Sequence, residues 1–114
     1  MPDQSPYPQI LLPIEGEQVF VRREDIVYLE AQGSYSEVHL LDGRRSRISK
    51  KLKSALEILG SEDFVRIHHS YLINLSHLSS LKGGEHASVA LCNGIELPVS
   101  RSKKADFFNL FRRL

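Results

Sequence analysis

The sequence predicts a mostly β domain built from antiparallel strands, with one mid-chain helix and one C-terminal helix at its periphery. Three observations predict it. Apolar residues fall in short runs, each closed by polar or turn residues, as strands require. Two dipeptides, Asp42-Gly43 and Asn93-Gly94, stand between such runs and signal two-residue hairpins of the type that needs positive φ at both central positions. Only two stretches, 49–60 and 102–114, carry apolar residues at helical spacing.

Residues 1–8, with Pro2, Pro6 and Pro8, read as a flexible lead-in, so the domain is expected over 9–114. Strands follow at Ile10-Leu11-Leu12, Val19-Phe20-Val21 and Ile26-Val27-Tyr28-Leu29, then from Ser34 to Leu41 and from Arg44 to Ile48. The first helix is expected between Ser49 as N-cap and Gly60 as C-terminal cap, with Leu52, Ala55, Leu56 and Leu59 on its apolar face. Strands resume at Phe64–Ile67, Tyr71–Leu75, Leu78–Lys82, His86–Cys92 and Ile95–Val99. Gly83-Gly84 and Asn93-Gly94 mark turns between them. The tail from Ser102 to Leu114 reads as a helix with Ala105, Phe108 and Phe111 along one stripe and Phe107, Leu110 and Leu114 beside it.

A chain of 114 residues holds one domain and can bury a modest core without covalent staples. Its single cysteine, Cys92, excludes an internal disulfide and a cysteine-based zinc site. No run reaches membrane-spanning length and the N-terminus lacks the features of a signal peptide, so a cytoplasmic location is expected. The net charge of +1 hides an asymmetry. Residues 1–42 hold two bases against eight acids, whereas residues 43–114 hold thirteen bases against six acids. A near-neutral domain can therefore present a positive face. Arg44, Arg45, Arg47, Lys50, Lys51 and Lys53 form a basic run without acids, with Arg45 and Arg47 on one strand face and Arg44 on the other.

The most specific stretch is Phe64-Val-Arg-Ile-His-His-Ser-Tyr-Leu-Ile-Asn74. A strand delivers Arg66, His68, His69 and Ser70 into a turn before the apolar run resumes. These side chains, with Asn74, donate hydrogen bonds to phosphate oxygens or base edges, and a strand-end loop is where a binding site belongs. Together with Asp25-Ile-Val-Tyr-Leu-Glu-Ala31, Tyr35 and Pro98-Val-Ser-Arg101, in that order and spacing, this stretch resembles the LytTR family of DNA-binding domains over roughly residues 10–113.

The resemblance implies an elongated, antiparallel, β-sandwich-like fold whose loops enter successive major grooves of double-stranded DNA, for transcription regulation in bacteria. It also implies dimers or paired modules on direct repeats, and a receiver domain or other signalling partner upstream. By position it carries over three contact loops: Gln32 to Ser36 (with Gln32, Ser34, Tyr35 and Ser36), then His68-His69-Ser70, then Ser100-Arg101-Ser102-Lys103, with Lys104 and Asn74 beside them. His69 departs from the family's pattern, where Arg or Lys is common, which weakens phosphate attraction at neutral pH and introduces a group that titrates near neutrality. Strand alternation allows only one of the two histidines to face a ligand, and His69 is favoured. Asn74 has a competing use, satisfying backbone groups in the turn before Leu75-Ser76-His77.

No catalytic motif is present: no nucleophile elbow, phosphate-binding loop, HExxH or cysteine cluster. The sequence is therefore read as a non-enzyme without cofactor or metal. The competing class is a protein-interaction or dimerisation module that holds a partner through the terminal aromatic helix and binds DNA weakly or not at all.

Overall fold

The computed structural model describes residues 8–114, so the expected lead-in lies almost wholly outside the described residues. A first hairpin pairs β1 (Gln9–Ile14) with β2 (Glu17–Arg22). Its turn is Glu15-Gly16, with φ of 48° and 84°, and this is the place where both turn residues take positive φ. The central sheet holds β5 (Arg45–Ile48), β4 (Tyr35–Leu40), β3 (Ile26–Gln32), β7 (Tyr71–Asn74) and β6 (Phe64–His68), adjacent in that order and all antiparallel. A third sheet orders β10 (Glu96–Pro98), β9 (Ser88–Leu91) and β8 (Leu78–Lys82). The helix α1 (Leu52–Leu59) connects β5 to β6, and α2 (Arg101–Phe108) follows β10.

The central sheet is covered on both faces, which is why Ile26, Val27, Tyr28 and Leu29 are all buried in succession. A register shift between Ile26 and Tyr28 puts the neighbours Val27 and Tyr28 on one face, with Ile26 and Leu29 on the other. One face packs Leu29, Val38, Phe64 and Leu72 against Leu12 and Val21 of the first hairpin and Leu52, Ala55 and Leu59 of α1. The other packs Val27, Ile67 and Ile73 against Val89, Leu91 and Leu97 of the third sheet and Phe107 of α2. The result is the elongated β fold the resemblance implies, with extents of 42 × 26 × 25 Å. Its radius of gyration of 14.2 Å exceeds the about 13 Å of a compact chain this long.

The structure corrects several local expectations. Asp42-Gly43 and Asn93-Gly94 close three-residue loops, in which only the glycine takes positive φ, 94° and 87°. In each loop the glycine N–H returns to the strand's last carbonyl, Gly43 to Leu40 and Gly94 to Leu91. A type I turn plus a left-handed glycine thus replaces the expected two-residue turn. Helix α1 begins at Leu52 with Lys51 at the N-cap rather than Ser49. Its end at Gly60, φ 96°, is as expected. Helix α2 stops at Phe108, and its anchor is Phe107, buried, while Ala105 is exposed. Phe107 is therefore core cover with Phe108 half-buried beside it, whereas Leu110, Phe111 and Leu114 stay exposed.

Candidate nucleic-acid interface

Three loops distant in sequence come together at one end of the central sheet. The β3–β4 turn, Gly33-Ser34 between the paired Gln32 and Tyr35, carries φ +64° at Gly33, the first central position that a type II′ turn reserves for glycine. The β6–β7 turn lies next to it because β3 and β7 are neighbours, and the Ala31 N–H donates to the Ser70 carbonyl at 2.9 Å. The start of α2 is fixed against β6 by the Ser100 N–H, which donates to the Ile67 carbonyl at 2.9 Å. Gln32, Ser34, Tyr35, His69, Arg101 and Ser102 are exposed along this crest, and His68, Ser70, Ser100, Lys103 and Lys104 are half-buried in it.

The β6–β7 turn is internally braced. The Arg66 guanidinium donates from Nε to the His68 carbonyl at 3.0 Å and from Nη2 to the His69 carbonyl at 2.5 Å. The Ser70 N–H donates to His68 Nδ1 at 3.1 Å, so in the neutral ring the proton sits on Nε2. Burial, then the neighbouring His69 and Arg66, push the His68 pKa below its ordinary 6.5. His68 is thus a neutral donor wedged between the rings of His69 and Tyr71, at 4.3 and 5.5 Å. His68 also lines a cleft with Glu85, Ser100 and Arg101. His69 is the more exposed of the two and lies in the turn just beyond β6, so its exposure follows from the turn rather than from strand alternation.

Two of the expected contact residues do not belong to the crest. Ser36 is fully buried and its hydroxyl donates to the Lys50 carbonyl at 2.7 Å, fastening the chain after β5 to the start of β4. Asn74 is buried at the far end of β7. Its Nδ2 donates to the Ile26 carbonyl at 2.9 Å and its Oδ1 accepts from the Ser76 N–H at 3.0 Å. That is its competing use in full, and it leaves no group for a ligand.

Two residues outside the three expected loops, Arg47 and Glu85, join the site, and the expected Lys104 takes a contact of its own. Arg47 places its guanidinium 4.6 Å from the centre of the Tyr35 ring, which holds both side chains beside the β3–β4 turn. Glu85 lies 3.7 Å from Arg101, an exposed ion pair at the rim. Lys104 Nζ donates to the Gly84 carbonyl, which turns its charge toward the β8–β9 loop. Only Arg47 had a readable signal, the alternation that puts Arg45 and Arg47 on the same side as Tyr35 and Glu37. At the opposite end of β9, Cys92 Sγ lies 3.2 Å from His77 Nδ1.

Comparison with known proteins places the fold. The model of the family described as LytTr DNA-binding domain matches residues 16–112. The CO-responsive transcriptional regulator RcoM of Rhodospirillum rubrum is 30% identical over 87 residues, covering 74% of this chain. The chain spans 36% of that regulator's length. A solved structure of a LytTr DNA-binding domain from Bacillus cereus superposes with a TM-score of 0.81 at 22% identity, covering 91% of this chain and 96% of that one.

Proposed function

Because the chain belongs to the LytTR DNA-binding domain family, a family of transcription regulation, we propose that the crest formed by the β3–β4 turn, the β6–β7 turn and the start of α2 is the surface that reads a specific duplex sequence. One observation carries the reading: the pair of backbone hydrogen bonds, Ala31 to Ser70 and Ser100 to Ile67, that brings three donor-rich loops to a common edge. In this reading Arg101 makes a bidentate contact to a guanine edge or clamps a phosphate. His69 and Gln32 contact base edges, and Lys103 and Arg47 attract phosphates. The loops enter successive major grooves from one side, paired copies sit on direct repeats, and a signalling partner controls access.

Selection of bound sequences from random duplex DNA tests it. A repeated motif, with affinity falling steeply as salt rises, is the expected outcome. Recovery of no enriched sequence, or binding indifferent to salt, would overturn it.

A further inference from the structure

Glu30 and Glu37 sit directly opposite one another on β3 and β4, in register. Two carboxylates so placed repel, and a sheet normally avoids the arrangement. Between them stands His39, with Nε2 at 3.4 Å from Glu37 Oε1 and 3.9 Å from Glu30 Oε1. Its ring is stacked flat on Tyr28, centroids 4.2 Å apart and 4° from parallel, so it has no freedom to turn away. His39 Nε2 is shut off from solvent and has no hydrogen-bond partner among the described residues. An unpaired buried nitrogen aimed at two opposed carboxylates is doubly costly without a cation between them.

We infer that Glu30, Glu37 and His39 form a binding site for a divalent transition-metal ion of the zinc type. The donor set is one imidazole nitrogen and two carboxylate oxygens, with room for water to complete the shell. A tetrahedral ion with bonds of about 2.0–2.1 Å holds its ligand atoms about 3.3–3.4 Å apart. The His39–Glu37 spacing already meets that distance, Glu30 Oε1 lies 3.9 Å from His39 Nε2, and all three ligand atoms stand within 4.8 Å of one another. The donor offered by His39 is the Nε2 lone pair of the uncharged ring. Two groups compete for Glu37. Gln32 Nε2 donates to its Oε1 at 3.3 Å and Arg45 Nη1 lies 3.8 Å away. Both side chains are exposed, and neither hydrogen-bonds to His39 Nε2.

The test uses the 114-residue chain with Cys92→Ser, because the Cys92–His77 pair offers zinc a second soft donor set. Calorimetric titration with Zn²⁺, and with Co²⁺ read by its visible absorption, is expected to show saturable uptake of one ion per chain. Glu30→Gln, Glu37→Gln and His39→Gln are each expected to weaken uptake by about tenfold or more. Arg45→Ala is expected to tighten it, since a competing cation is removed. Glu30→Gln also removes the like-charge pair, so the metal-free variant should unfold no more easily than the parent, and loss of metal in it cannot be ascribed to misfolding. Equal affinity in parent and the Glu37→Gln and His39→Gln variants, or no saturable uptake in the parent, would overturn the assignment.

Discussion

At Asn74 a single carboxamide ties the end of β7 to the distant Ile26 carbonyl and to the Ser76 N–H of the turn that follows. Replacing it with alanine strands a buried carbonyl and removes a cap, so Asn74→Ala should lower unfolding free energy by about 1–3 kcal/mol, measured by urea titration. The bound sequence profile should stay the same. At Arg101 the expectation is reversed. Arg101→Ala should leave stability unchanged, relax one base preference and cost about 1–3 kcal/mol in affinity, read by gel shift across single-base variants of the site. Its neighbour Glu85 pairs with the same guanidinium, so on the proposed reading Glu85→Gln should strengthen binding at low salt and lose that advantage as salt rises. His68 sets a pH dependence. Its pKa is held below 6.5 in the fold by burial, so as pH falls below 6.5 the unfolded chain takes up a proton before the native one does. Stability should therefore drop across that acid window and be fully present above it. His68→Gln should flatten that part of the curve; an identical slope in both proteins would refute the assignment.

Among the elements, α1 ends where the chain enters a conformation reserved for glycine. Gly60 has φ 96° and ψ 136°, and an added Cβ would stand 3.5 Å from Arg23 Nη2. Gly60→Ala should destabilise the domain by about 1–3 kcal/mol through backbone strain rather than collision, seen as a lower thermal midpoint with no change in DNA preference. This element also shows where sequence suffices. The apolar spacing of Leu52, Ala55 and Leu59 and the stop at Gly60 were legible because both follow from local periodicity. The N-cap was not, because Lys51 enters the helix without any side-chain cap and so leaves no signature. Asp42-Gly43 and Asn93-Gly94 announced reversals, but a dipeptide does not reveal whether the glycine is the second of two turn residues or the third of three. Strand alternation likewise gives the face of Ser36 or Glu37 and is silent about what lies across it. The burial of Ser36 under the Lys50 carbonyl, the approach of Glu85 to Arg101, and the meeting of Glu30 with His39 all depend on strand pairing, which local pattern leaves open.

For the whole molecule, the strand order fixes the width of the crest. From β4 across β3 and β7 to β6 the strand ends cover about 15 Å at ~4.8 Å per strand. The start of α2, docked on β6, adds up to about 12 Å. That total approaches the roughly 34 Å of one turn of B-DNA. Hydroxyl-radical footprinting of one bound copy should therefore show protection confined to one side of the duplex over about one helical turn. Protection on all sides would contradict the single edge.

The bracing of the β6–β7 turn bears on which edges it can read. The carbonyls of His68 and His69 accept from Arg66, and that of Ser70 accepts from Ala31. The turn's main-chain oxygens are thus each engaged within the protein, so selectivity at this edge passes to side chains, His69 above all, whose uncharged imidazole has one donor and one acceptor nitrogen. An operator position read by this turn should accordingly lose its preference in His69→Ala, because no free main-chain carbonyl stands in for the ring.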